Sequence, residues 1–332
     1  MGNKSVIGID FGGNQIKIVE IKKNKVTKFI KEDMPEGIVV DGEIIAWDGL
    51  YEFLDKIVKQ NKFNSKKVRI VIPDAKTHTL RLTTPLMTEK QLDVNVPFEF
   101  RDFITDSSVE YAYSWALKGI EQDSDGNDTG FDIVAVAAPK MIIDHYEELI
   151  RRVRLKLEMV TPQCLCLETL MKRVDPNLQE CDFALIDLGY YTTRINIFSN
   201  GVYDTARTID DGCKTLVQKV SEAFNCHEKA AIQHIKDNTN GIMDTSEITD
   251  VCSSIAVDVM RAVNYYAYEK QNNTLQTIYV CGGGSTIPQL VNELRESVPL
   301  DVVMLSDYTN SEMGKDMLTN GPAAAGICWN GD

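Results

Sequence analysis

At 332 residues the chain exceeds what one hydrophobic core usually serves, so two domains are expected. Its 43% hydrophobic and 25% charged residues are ordinary for a soluble globular protein. A net charge of −14 argues against nucleic acid as a main partner, and no stretch approaches the roughly 18 uninterrupted apolar residues of a membrane span.

The first residues lack a signal-peptide pattern, which reads as a cytoplasmic protein. The charge is uneven: residues 1–70 carry 13 Lys and Arg against 10 Asp and Glu, leaving −17 for the remainder. That basic excess reads as scattered solvated lysines, with attraction to an anionic membrane surface as the alternative. The eight cysteines form no CxxC pair, only Cys164-x-Cys166, so they read as reduced and mostly buried. Cys226, His227 and His234 lie close in sequence but lack a second ligand pair for a metal.

In chain order, Val6-Ile7-Gly8-Ile9-Asp10 is an apolar strand that ends in an aspartate, turns on Gly12 and Gly13, and leaves as a second strand through Ile16, Lys17 and Ile18. A glycine turn lets backbone N–H groups approach phosphate oxygens, and a strand-end aspartate can hold hydrated Mg²⁺ beside them. A structural hairpin would use the same glycines. Asp48 is placed to cap an amphipathic helix carrying Leu50, Leu54 and Ile57. Val68-Arg69-Ile70-Val71-Ile72 is a buried-type strand.

Residues 77–160 have no counterpart in the second half and read as an inserted α+β unit. They hold a helix from Thr88 that Pro97 must end or kink, strands over Val109–Leu117 and Phe131–Ala138, and a helix marked by Tyr146, Leu149, Ile150 and Val153. The acidic loop 123–130 between the strands departs from a calcium-loop pattern and reads as solvated.

The first motif then returns: Ile9-Asp10-Phe11-Gly12 aligns with Ile186-Asp187-Leu188-Gly189 at a constant offset of 177, and Lys17 falls on Arg194. Duplication at half-chain spacing implies two similar lobes that grip a ligand from both sides. One helix follows with Leu216, Val217 and Val220 on one face and Asn225 as a left-handed stop; another spans about 248–271. Thr277-Ile278-Tyr279-Val280-Cys281 is a strand running into Gly282-Gly283-Gly284, where backbone can approach a flat ligand near a helix amino end.

The order Asp10-x-Gly12-Gly13, Asp187-x-Gly189-x-x-Thr192-Thr193, Gly282-Gly283-Gly284 and Pro322-Ala323-Ala324-Ala325-Gly326 resembles the actin, heat-shock chaperone and sugar-kinase superfamily. Within it, Pro85 to Leu92, Val136-Ala137-Ala138 and Arg207-x-Ile209-x-x-Gly212 are similar to the PilM family of type IV pilus assembly, itself related to FtsA. The resemblance implies an α/β, actin-like (ribonuclease H-like) two-lobed fold with an inserted α+β subdomain 1C. The division is 1–76 first lobe, 77–160 insertion, 161–180 return to the first lobe, 181–310 second lobe, and 311–332 a segment returning to the lobe interface.

It further implies ATP between the lobes, with Mg²⁺ near Asp10 and Asp187. Phosphate contacts would come from Gly12, Gly13, Asn14, Gln15 and Lys17 of the first turn and Gly189, Tyr190, Tyr191, Thr192 and Thr193 of the second. Adenine would lie near Gly282, Gly283 and Gly284, with Lys236 approaching the adenosine. The implied partner is the cytoplasmic peptide of a PilN-like membrane protein, bound around Leu80–Leu92 and Tyr146–Val153, with peripheral membrane association through it. Self-association, as an FtsA-like filament former, is the alternative, and a sugar-kinase-like phosphotransferase is a third reading. Two departures bear on chemistry: Tyr190 and Tyr191 stand where small residues are usual, and Thr161-Pro162-Gln163 replaces a Glu-Pro, leaving Gln163 as the candidate to position water.

Overall fold

The computed structural model describes residues 5–106, 108–310 and 312–330. The ends of the sequence division at 1–4, 311 and 331–332 lie outside the described residues.

The first lobe opens with β1 (Ser5–Phe11), β2 (Gln15–Lys22) and β3 (Lys25–Asp33), each antiparallel to the one before. A short hairpin, β4 (Val39–Val40) and β5 (Glu43–Ile44), precedes α1 (Trp47–Asn61) and β6 (Lys67–Ile72). Asp48 lies in the first turn of α1 rather than at its cap, which is Ala46, and its carboxylate accepts from Arg152 at 2.7 Å.

The inserted unit is β7 (His78–Pro85), α2 (Glu89–Glu99), β8 (Tyr111–Gln122) and β9 (Asp128–Pro139), a sheet of order β7-β9-β8. Thr88 and Gln91 form a reciprocal capping box at the start of α2, and Pro97 sits inside its last turn. Leu92, Val96 and Phe100 bury against Ile133, Ala135 and Ala137 of β9.

The insertion ends earlier than the sequence division has it. The next helix, α3 (Lys140–Arg152), buries Tyr146, Leu149 and Ile150 in the first-lobe core, and β10 (Lys156–Pro162) pairs in parallel with β6. Both elements complete the first sheet, order β10-β6-β1-β2-β3. A helix and strand after an antiparallel sheet carry no sequence mark of which sheet they join; the parallel register of β10 on β6 decides it.

After α4 (Gln163–Val174) the second lobe repeats the plan: β11 (Phe183–Leu188), β12 (Thr193–Ser199) and β13 (Val202–Ile209) as an antiparallel run, then α5 (Cys213–Phe224), α6 (Glu228–Asp237) and α7 (Ser246–Glu269). β14 (Thr277–Cys281), α8 (Pro288–Ser297) and β15 (Asp301–Met304) complete a sheet of order β13-β12-β11-β14-β15. The two sheets correspond strand for strand, and even the register repeats: Asp10 pairs with Lys17 as Asp187 pairs with Arg194. α9 (Lys315–Asn320) and α10 (Pro322–Trp329) close the chain.

α4 and α10 lie between the sheets, where Leu167, Leu170, Ala324, Ile327 and Cys328 join both lobes in one core. The outer helices form separate cores: α1 and α3 on the first sheet, α5, α7 and α8 on the second. The insertion also reaches the second lobe. Arg81 of β7 makes a bidentate pair with Asp132 and donates to the Ser199 carbonyl at 3.1 Å. The Glu168 carboxylate, 4% exposed, accepts from Lys118 of β8, from Lys172 of α4 and from the Tyr203 N–H of β13. No helix among the described residues is long and apolar enough to cross a membrane.

Candidate nucleotide cleft between the lobes

Each lobe contributes one tight turn after its first strand, closed by a backbone bond from Gly12 N to Gln15 O at 3.0 Å and from Gly189 N to Thr192 O at 3.1 Å. The turns meet across the cleft. A Cβ on Gly13 would stand 2.4 Å from the Tyr191 ring, so glycine there is what admits the ring. Asp10 and Asp187, at corresponding strand ends, both influence this space. Lys17 Nζ is 3.4 Å from Asp10 Oδ2, and Gln163, the first residue of α4, donates from Nε2 to Asp187 Oδ2.

Burial pushes the Asp187 carboxyl above its usual range; the Lys17 ammonium opposes this, nearby Asp10 adds to it, and the Gln163 bond opposes it again. The repeat-related cations have parted ways. Lys17 stays in the cleft, whereas Arg194 turns to the buried Asp74, 3.5 Å from Nε to Oδ2, and to Thr208 Oγ1.

The two tyrosines also separate. Tyr190 packs with the second-lobe core and donates its hydroxyl to Glu228 at 2.8 Å. Tyr191 lies over the first turn with the Lys214 ammonium 4.9 Å from its ring centre. Lys214 in turn bonds Asp41 at 3.0 Å, at the tip of the β4–β5 hairpin of the opposite lobe. A chain of contacts thus crosses the cleft mouth from Asp41 through Lys214 and Tyr191 to Gly13. Sequence reasoning missed Lys214 and Asp41. The Asp41-Gly42 turn signal and the lysine two residues after Gly212 were the available marks.

The third glycine stretch closes the floor. Gly282 has φ +86° and a Cβ there would meet Asp187 Oδ1 at 2.3 Å, so only glycine serves. Gly284 packs on Cys213 and Leu188, while nothing lies within 4 Å of the position a Gly283 Cβ would take. Gly282 caps a 3₁₀ turn, Gly283–Thr286, that contains the other two glycines and precedes α8, so no α-helix amino end opens directly onto them. Burial pushes the neighbouring Cys213 thiol up to about 12, which leaves it neutral.

The structure therefore brings together Asp10, Gly12, Gly13, Lys17, Gln163, Asp187, Gly189, Tyr191 and Gly282. Asn14 and Gln15 flank the turn, Gln15 bonding Asp33 at 2.8 Å. Thr192 closes the second turn, and Thr193 Oγ1 is buried without a hydrogen-bond partner among the described residues. Lys236 is exposed in the last turn of α6 and makes no ion pair among the described residues. His234, on the same helix, stacks on Phe224 at 4.2 Å. No group of three or more His, Cys, Asp or Glu among the described residues is placed to hold a metal ion, so a cation at Asp10 and Asp187 would need phosphate or water oxygens as well.

Compared with known proteins, residues 8–321 match the family described as Type IV pilus assembly protein PilM. Among solved structures, the chain is similar to one in the PilM-PilN type IV pilus biogenesis complex, with TM-score 0.80, 17% identity and 98% of each chain covered. It is also similar to the ethanolamine utilization protein EutJ from Carboxydothermus hydrogenoformans, with TM-score 0.61 and 13% identity over 98% of this chain and 90% of that one. MreB 5 of Spiroplasma citri bound to AMPPNP matches at TM-score 0.54 and 12% identity, over 98% of this chain and 95% of that one. These likenesses carry the actin-like fold.

Proposed function

This chain belongs to the PilM family of type IV pilus assembly proteins, and we propose that it acts there as an ATP-binding scaffold at the cytoplasmic face of the cell membrane, docking the cytoplasmic tail of a PilN-like protein. The observation that carries the nucleotide half is the convergence of two repeat-related turns on Asp10 and Asp187. The residues fit such a ligand on two sides. The carboxylates and Gln163 would suit a hydrated Mg²⁺ held beside phosphate, and the open side of Gly283 suits adenine. At the first turn the Tyr191 ring stands in the way and must rotate for phosphate to reach Gly13. Bound Mg²⁺ would neutralise phosphate charge; the chain's own part is to hold it and to exclude water.

Turnover is proposed to be weak or absent. The polar group nearest the carboxylates, Gln163, is engaged with Asp187, and an amide is no general base. The test is calorimetric titration with Mg-ATP paired with phosphate release. Wild type is expected to bind with negligible release, and Asp187→Asn to lose at least about tenfold in affinity because a charged ligand to the cation is gone. The same variant should melt at or above the wild-type temperature without nucleotide, since burying the charged carboxylate is unfavourable. Because that carboxyl is raised in the fold, its ionisation detracts from stability as pH rises through its folded value, and affinity for Mg-ATP should fall on acidification through the same window. Wild-type binding unchanged in Asp187→Asn would overturn the site.

The docking half rests on the family and on the junction of the insertion with the first lobe. Tyr146, Leu149, Ile150 and Val153 are buried in the lobe core and cannot line a groove. What the junction exposes is Phe103, 51% accessible and 6.4 Å from the His78 ring, and Met141, 65% accessible beside the Lys140–Glu110 pair. We place the PilN-like peptide there. Its titration by fluorescence anisotropy should weaken about tenfold in Met141→Glu; an unchanged curve would move the groove elsewhere. Arg81 and Lys118 tie the insertion to the second lobe, so a change in lobe angle would be felt at this junction. Filament formation, the FtsA-like alternative, has no specific observation in its favour.

A further inference from the structure

Three loops meet at the edge of the first-lobe sheet opposite the cleft. β1 starts at Ser5, paired with Lys22; Lys22 pairs with Lys25; and Lys67 and Lys156, the first residues of β6 and β10, pair with each other. The loops at this edge, residues 22–25, 62–67 and 151–156, hold three, three and four Lys or Arg and no Asp or Glu. In a chain of net −14, these 16 residues carry +10. Lys67, Arg151 and Arg152 have carboxylate partners; the other seven make no ion pair among the described residues.

The middle loop is fastened to the sheet. The Glu20 carboxylate, fully buried, accepts from Asn64 N at 2.6 Å and Ser65 N at 3.0 Å, which fixes the middle loop to the sheet. Behind the loops is a cavity of about 440 Å³ lined by Ser5, Asn24, Lys67, Arg69, Lys156 and Glu158, among others. Arg69 is 8% exposed; its Nη1 is spent on the carbonyls of Ile327, Cys328 and Asn330. Its Nε has no hydrogen-bond partner among the described residues and lies 4.0 Å from Glu158 Oε2, whose other oxygen takes Lys67 at 2.5 Å. Ser5 Oγ is likewise buried without a hydrogen-bond partner among the described residues.

We propose that this rim lies directly against an anionic lipid bilayer, with the Arg69 cavity taking one headgroup phosphate. Loop tips at one sheet edge suit a plane. The acidic remainder of the chain is then turned away from the negative surface, an orientation a bilayer imposes. A nucleic acid fits less well: the loops contain a single aromatic ring, Phe63, already covered by the Lys28 ammonium at 5.3 Å, so no stacking platform is offered. This contact is additional to docking through a peptide partner, and needs neither partner nor nucleotide.

The test is sedimentation of the full chain with vesicles at low salt, without nucleotide or peptide. The chain should bind vesicles of phosphatidylcholine mixed with phosphatidylglycerol, not pure phosphatidylcholine, and should be released by salt as the Debye length shrinks. Each cation is expected to contribute about fivefold to partitioning, so K23E/K66E/R154E, one exposed tip residue per loop, should lose at least about a hundredfold. The equal-charge control K90E/K219E/R295E should lose far less. Inorganic phosphate should compete better than chloride at matched ionic strength; equal competition would remove the headgroup pocket. Failure of wild type to sediment with the anionic vesicles, equal losses in both triple variants, or tighter rim-dependent binding to duplex DNA than to vesicles would overturn the proposal. Far-UV circular dichroism confirms that both variants fold.

Discussion

Replacing Gly326 by alanine is expected to lower the melting temperature by roughly 4 °C, the equivalent of about 3 kcal/mol for a chain of 332 residues. The position lies on α10, where the helix touches both neighbours through backbone. An added Cβ would sit 1.9 Å from the Cys166 carbonyl oxygen of α4, and on the other side a Cβ at Gly8 of β1 would sit 2.1 Å from the Ala324 carbonyl oxygen. Neither contact can be relieved by turning a side chain; a helix must move. Because α4 and α10 are shared by both lobes, the shift would propagate to the cleft. Alanine favours a helix over glycine by about 1 kcal/mol, so the predicted loss is net of that gain, and valine should prevent folding. Gly283→Ala is the matched control, with open space around its Cβ among the described residues: its melting temperature should stay within about 1 °C. Scanning calorimetry of the three proteins decides it, and equal melting temperatures for wild type and Gly326→Ala would mean that α10 can slide.

Much of the architecture was legible because the motif occurs twice. The offset of 177 places Asp10 on Asp187 and Lys17 on Arg194, and the structure reproduces these as identical register pairs. The strand before the triple glycine is seen with the bounds expected, Thr277–Cys281, and Asn225 ends α5 at φ +48°. What escaped was whatever depends on distant pairing. The division 77–160 takes in α3 and most of β10 because periodicity reports which face of a helix is apolar and not which sheet covers it, and the strand itself carries no mark in the sequence reading; the parallel pairing of β10 with β6 is a contact between residues some ninety positions apart. The same limit hid Asp41 and Lys214, 173 residues apart, whose bond lies across the cleft mouth. Two adjacent tyrosines could not be told apart by sequence. Both lie inside the tight turn closed from Gly189 N to Thr192 O, where side-chain direction follows the turn and not a strand alternation, and the fold sends Tyr190 into the second lobe and leaves Tyr191 in the cleft.

Removing the Tyr191 ring is expected to tighten Mg-ATP binding by about tenfold, a gain that few cleft substitutions would give. In the structure the ring covers Gly13, and its face is turned to Lys214, a contact worth about 0.5–1 kcal/mol at an exposed site. Phosphate must displace that contact and whatever burial accompanies it, so intrinsic affinity is reduced by the fraction of molecules with the ring turned away. Tyr191→Ala abolishes the penalty and frees Lys214 to meet a phosphate. Tyr191→Phe keeps the ring and should bind like wild type, which separates steric cover from any role of the hydroxyl. Asp41→Asn tests the outer end of the same chain: it weakens the hold on Lys214 and should raise affinity by a smaller factor, about threefold. Calorimetric titration of the three variants gives the ordering. If Tyr191→Ala binds more weakly than wild type, the ring is a ligand contact on which the nucleotide stacks, and the closed arrangement across Gly13 is then its resting place rather than a barrier.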